Sequence, residues 1–173
     1  ASEIEALAAT VTDSGGVVFI PGFVGLGAPH WDPYGTGIMV GITRGTSQGH
    51  IARAALEAIA LQNLDVLDTM EKDSGIKTTE LRVDGGATAN NLLLQIQANV
   101  ANLDIIRPKI IETTAQGAAF LAGLATGYWK DLEEIKKIWE PEKIFRPLSD
   151  PSATKMRKNW KKAIERSKNW LSE

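Results

Sequence analysis

The chain has 173 residues, with 19 Lys and Arg against 21 Asp and Glu, a formal net charge of −2, and no cysteine. Its length predicts one domain over residues 1–173, and its near-balanced charge offers no basic field to draw nucleic acid or anionic lipid. Disulfides, thiolate metal sites and a cysteine nucleophile are excluded, and two histidines are too few to complete a tetrahedral zinc site alone. With a mean hydropathy of −0.11 and no apolar run near the roughly 18–20 residues that span a bilayer, the expectation is a cytoplasmic, metal-independent protein without a membrane partner.

Ile4, Leu7, Ala8 and Val11 recur at helical spacing and predict a helix that opens the chain. The basic and apolar regions of an export signal are missing there. A helix starting so abruptly is expected where a chain is cut from a longer protein. Residues 17–21, VVFIP, read as a short buried strand. The loop at 22–37 follows, with five glycines and two prolines that favour specific turns. A second strand is predicted over 37–43. From Ser47 to Asp73, the positions Ile51, Ala55, Ala58, Ile59, Gln62, Val66 and Met70 form a stripe that predicts a long helix ended by Gly75.

Residues 79–86 read as a strand because Leu81 and Val83 alternate with Arg82 and Asp84. A helix over about 89–102 buries Leu92, Leu93, Ile96 and Val100. The run 103–108 is again strand-like and stops at Pro108. Thr113 is placed to cap a helix that ends at Gly127. Strand and helix thus alternate in the order of an α/β sheet. Leu132, Ile135, Ile138 and Trp139 mark a short helix, and residues 151–172 a last one.

The most informative stretch is LRVDGGATANN at 81–91, where a strand runs into two glycines and then a helix. Gly85 and Gly86 have no Cβ, so a flat base or sugar could lie against the peptide there. The helix amides and the Asn90 side chain could donate hydrogen bonds. The same residues equally suit a purely structural turn with an N-capping Asn. The stretch is neither a Walker A loop nor GxGxxG. In the helix at 113–127, Gly117, Ala118, Ala122 and Ala125 are small enough for a tight crossing with a neighbouring element.

His30 adjoins Trp31 and Asp32, an arrangement that invites acid–base chemistry, but a single run does not aim three side chains at one point. We read this loop as anchored rather than catalytic. His50 makes a weaker case. The last helix carries Lys155, Arg157, Lys158, Lys161, Lys162, Arg166 and Lys168 against Glu165 and Glu173, with Met156, Trp160, Ala163 and Trp170 as an apolar stripe. Docking of that stripe on the domain, with the lysines in water, is preferred to membrane binding.

Taken together, the segments resemble the FGGY carbohydrate kinases. Their C-terminal signature is met by Gly37, Met39, Gly41, Ile42, His50, Ile51, Ala54, Ala55, Leu56 and Glu57. FIPGFVGLGAPHWDP, RVDGGATANNLLLQ and TAQGAAFLAG are similar to the members that phosphorylate glycerol. Pentulose kinases instead carry a Gly-Glu-Arg-x-Pro type of loop where this chain has Gly27, Ala28 and Pro29.

The resemblance implies a ribonuclease H-like, actin-like ATPase fold, here a part of the C-terminal domain of a much longer enzyme. It implies ATP or ADP as cofactor, with Mg²⁺ arriving on the nucleotide, and glycerol as the second substrate. The adenosine would lie on the turn that matches Gly85, Gly86, Ala87 and Asn90. The helix around Gly117 would pack behind that pocket. The catalytic aspartate and the phosphate-binding hairpin find no match, so no catalytic residue and no metal ligand is expected in this chain. The family's kinases also imply a dimer or tetramer. A pentulose or gluconate kinase and a non-catalytic binding module are the alternatives.

Overall fold

The structure, a computed structural model, describes residues 3–149 and 151–172. Glu173, counted above in the charge of the last helix, lies outside the described residues, as do both ends of the expected domain 1–173. Helix α1 is one short turn at Ile4–Ala8, which leaves Val11 beyond it. Strands β1 (Val18–Ile20) and β2 (Ile38–Val40) form an antiparallel pair in which Ile20 lies opposite Ile38.

Helix α2 runs over Gln48–Ser74. At its start the Ser47 backbone N–H donates to His50 Nδ1 at 3.0 Å, the reciprocal bond that Glu or Gln makes in a capping box. At its end Gly75 takes the left-handed conformation with φ 70°, which only glycine adopts freely. The stripe expected to face the core points the other way. Ala54, Leu56, Ala58, Ala60, Leu61 and Leu64 are buried, whereas Ile51, Ile59, Val66 and Met70 are exposed, the last by 62%. Gln62 is also exposed and Ala55 half-buried, so Ala58 alone of the expected stripe is in the core. Apolar residues surround α2, so two stripes share the helical period, and the one rich in alanine lets neighbouring helices come closest. Gly49 shows the same preference, since a Cβ there would stand 2.5 Å from Thr10 Oγ1 beside α1.

The second unit is β3 (Glu80–Arg82), α3 (Asn91–Ala101) and β4 (Asp104–Pro108), with β3 and β4 parallel and Leu81 opposite Ile105. That is the strand–helix–strand order read from the sequence. Helix α3 is buried on two sides. Leu93, Ile96 and Val100 join the main core of Ile20, Leu56, Leu61, Leu64 and Trp160. Leu94 and Ala98 pack instead on Ile105 and Phe145 of the sheet.

Helix α4 (Thr113–Thr126) is preceded by Glu112 at its N-cap, so Thr113 is its first helical residue rather than the cap. Among the described residues α4 makes no close crossing with another helix or strand. Ala118, Ala122 and Ala125 are exposed, and a Cβ on Gly117 would meet nothing. The expected tight crossing is therefore not made. Trp129 folds back onto α4, lying where a side chain on Gly123 would go and edge-on to Phe120 at 5.2 Å.

Helix α5 (Leu132–Lys136) is capped by Asp131, whose side chain accepts from the Glu133 and Glu134 amides. It leads to β5 (Pro141–Phe145), antiparallel to β4. This strand went unread because four of its five residues are exposed, which removes the alternation that would mark it. Helix α6 (Ser152–Ser167) buries Trp160, Ala163 and Ile164 against the core. Its apolar stripe docks on the domain as expected, but the helix ends before Trp170, which is 66% exposed.

Candidate functional site

At the end of β3 the chain turns sharply at Asp84 and Gly85, makes one 3-10 turn over Gly86–Ala89, and enters α3 at Asn90. Gly85 has φ 84° and ψ 166°, a region essentially closed to any residue with a Cβ. The glycine is therefore demanded by the backbone. Gly86 has no such constraint: its φ is not positive, and a Cβ on it would meet nothing within 4 Å. Gly86, Ala87 and Ala89 are exposed, Gly85 and Asn90 half-buried, and Thr88 buried.

Five bonds hold the turn from below. The Thr88 hydroxyl donates to the Gly85 carbonyl at 2.7 Å and the Thr88 amide donates to the same oxygen at 3.0 Å. The Gly85 amide donates to the Ile111 carbonyl at 2.8 Å, and the Thr113 hydroxyl bonds the Asp84 carboxylate. Asn90 Oδ1 accepts from the Leu93 amide at 2.8 Å, so this oxygen caps α3.

Arg107, on β4, reaches the turn from the opposite side. Its Nη1 donates to the Thr88 carbonyl at 2.7 Å and its Nε to Glu142 Oε2 at 2.7 Å. The guanidinium lies 5.3 Å from the Phe145 ring, and its hydrogen bond to Glu142 holds that carboxyl below the usual carboxylate range. Arg107 was missed in the sequence, although an arginine inside the apolar run LDIIRP is a signal that something polar is buried beneath it.

The structure thus brings Gly85, Gly86, Ala87 and Asn90 into one turn, with an open outer face of backbone and the start of an 11-residue helix beside it. Such a surface can receive a flat ring against peptide planes, although the α3 amides expected to donate are taken within the protein, Leu92 by Glu5 Oε1 at 2.9 Å and Leu93 by Asn90.

The other candidates lie elsewhere. His30 Nε2 is 3.3 Å from Asp65 Oδ2, and the same oxygen accepts from Trp160 Nε1 at 2.7 Å. Asp32 accepts from the Asn169 amide at 2.7 Å and the Tyr34 amide at 2.9 Å. These bonds tie the glycine-rich loop to α2 and to the end of α6, which is the anchoring role expected. A separate half-open cavity of about 280 Å³ is lined by Ser14, Val17, Glu57, Met156 and Trp160 among others. Burial pushes the Glu57 carboxyl up, against the opposing pull of Ser14 and Arg53. Among the described residues no group of three or more His, Cys, Asp or Glu could hold a metal ion, and no helix is long and apolar enough to cross a membrane.

Residues 2–126 match the family model described as the FGGY family of carbohydrate kinases, C-terminal domain. Glycerol kinase from Rhodopirellula baltica is 57% identical over 173 residues, an alignment covering 99% of this chain and 32% of that protein. Among solved structures, Plasmodium falciparum glycerol kinase with ADP is similar with a TM-score of 0.85 at 35% identity, over 96% of this chain and 33% of that one. A ligand-bound xylulose kinase from Lactobacillus acidophilus gives 0.73 at 27%, with the same coverage of each chain. The chain spans about a third of the length of the curated relatives it matches. It belongs to the FGGY family of carbohydrate kinases, with the α/β, ribonuclease H-like (actin-like ATPase) fold of the C-terminal domain in part.

Proposed function

We propose that residues 1–173 form one domain supplying the nucleotide half of a glycerol kinase, which transfers the γ-phosphoryl group of ATP to glycerol to give glycerol 3-phosphate. The observation that carries this reading is the open turn of Gly85, Gly86, Ala87 and Asn90, in a chain aligned along its length with a glycerol kinase and similar in fold to one solved with ADP. Adenosine would lie against Gly85 and Gly86. Their open faces fit a planar ring, because nothing in the protein fills the space a Cβ would take. Ala87 would border it and Asn90 would present the edge of its amide. Mg²⁺ would arrive bound to the nucleotide phosphates and neutralise their charge.

Phosphoryl transfer asks the protein mainly to position reactants and stabilise charge. No catalytic residue is assigned to this chain, so transfer takes place in a larger assembly that supplies the base and the phosphate-binding loops. The assembly is a cytoplasmic dimer or tetramer. An assay for ATP-dependent glycerol phosphorylation by the 173-residue chain should show no turnover. Calorimetry with ADP should show weak binding that Gly86→Trp abolishes. Binding unaffected by that substitution would remove the turn as the pocket.

The likeness to a xylulose kinase supports a second reading, a kinase of another sugar or polyol such as a pentulose or gluconate. A panel of glycerol, xylulose and gluconate offered to the longer enzyme separates the two.

A further inference from the structure

We propose that Arg107 is a positioning residue for nucleotide: from β4 it clamps the Thr88 carbonyl and so fixes the Gly86–Ala89 turn in its receiving shape. This rests on the turn being the nucleotide site. A single 3-10 turn that starts at Gly86 and is preceded by Gly85 has little stiffness of its own, since glycine gives up the most backbone freedom on ordering. The Thr88 carbonyl points inward, and its hydrogen bond with Arg107 is buried. Without a partner that carbonyl would be an unsatisfied buried acceptor, and the turn would do better to rotate it toward water.

Arg107 is suited to prevent this. It is only 9% exposed, and its planar fork holds the Thr88 carbonyl and Glu142 at the same time, at 2.7 Å each. Phe145 fixes the plane of the fork from one side. A lysine at this position has a single ammonium and no fork, so it cannot reproduce both bonds in that geometry. None of these contacts touches the outer face of Gly86 and Ala87, where the ligand would lie.

The test uses the whole chain as Arg107→Lys and Arg107→Met, with Val17→Ala as a control that removes buried apolar atoms outside both clusters that hold α3. Amide hydrogen exchange is read at Thr88 and Asn90, whose N–H groups bond the Gly85 and Ala87 carbonyls within the turn. Both Arg107 variants should exchange there about tenfold faster or more, and the Val17 variant at the wild-type rate. ADP affinity by calorimetry should fall by about tenfold in Arg107→Lys, and less in Glu142→Gln, which leaves the bond to Thr88 in place. Wild-type exchange in both Arg107 variants overturns the clamp, whatever happens to ADP. Faster exchange with unchanged ADP affinity, or no ADP binding by the wild-type chain, overturns the nucleotide role while the exchange data still decide the clamp.

Discussion

The two adjacent glycines of the turn should separate under the same small substitution. Gly85 occupies φ 84°, ψ 166°, where an added Cβ strains the backbone by about 1–3 kcal/mol. Gly85→Ala should therefore cost that much stability even though its new methyl would point into open space. For a chain of this size each kcal/mol moves the melting temperature by about 2–4 °C, so a fall of several degrees is expected. Gly86 has ordinary backbone angles and an equally open Cβ direction. Gly86→Ala should leave stability unchanged or raise it by about 0.4–1 kcal/mol, because alanine restricts the unfolded chain. The same methyl would stand between the peptide and a ring stacked on it, and should weaken ADP binding by about tenfold, or 1.4 kcal/mol. Urea unfolding and calorimetry on the two variants read both quantities. A stable Gly85→Ala would refute the backbone argument. A Gly86→Ala protein that binds ADP as well as wild type would show that no ligand rests there.

Gly16 and Gly41 share a φ of 84° and face each other. Gly16→Ala should cost only the strain, about 1–2 kcal/mol. Gly41→Ala should cost about 1–3 kcal/mol more because its methyl would strike the Gly16 carbonyl oxygen, and matched urea midpoints would contradict this. Glu57 offers a pH test. Its carboxyl is raised above the ordinary 4.5, first by burial, so the folded state holds its proton more tightly than the unfolded chain. Its contribution to stability is then full below pH 4.5 and is lost as pH rises through the raised value. The stability of Glu57→Gln relative to wild type should improve between about pH 4 and pH 7, as followed by urea midpoints across that range. A relative loss over the same range would count against the burial account.

Where one period dominated, the sequence was readable. Leu81 and Val83 alternate with polar neighbours, a Gly-Gly turn follows, and Asn90 caps the next helix, so β3, the turn and α3 were legible, although β3 is confined to Glu80–Arg82 within the strand expected over 79–86. In α2 the period was correct and the phase wrong, because alanines on one side and Ile51, Ile59, Val66 and Met70 on the other fit the same 3.6-residue spacing. Tertiary packing chose the small residues. Strand β5 had no pattern to read, since Phe145 alone of its five residues is buried. Residue types made the candidate turn legible, but its support was not. The bond from Arg107 to Thr88 spans 19 positions, and no local spacing rule connects a strand arginine to a carbonyl in a preceding turn.

One edge of the turn takes its rigidity from helix α3, which is held on both sides. Leu93 and Ile96 belong to the main core with α2 and α6, and Leu94 and Ala98 to the sheet core with Ile105 and Phe145. Because Asn90 both ends the turn and caps α3, one edge of the turn takes its position from two cores at once. The other edge is different. Gly85 hangs from the Ile111 carbonyl and Asp84 from Thr113, and both of those residues lead into α4, which crosses no other element closely among the described residues. One edge is thus fixed by packing and the other by two hydrogen bonds, one to Ile111 between β4 and α4 and one to Thr113 at the start of α4. Rigid support lowers the ordering cost of binding, and here it is concentrated at Asn90 and Thr88. Gly85 is the one residue of the turn whose backbone angles allow no substitute for glycine.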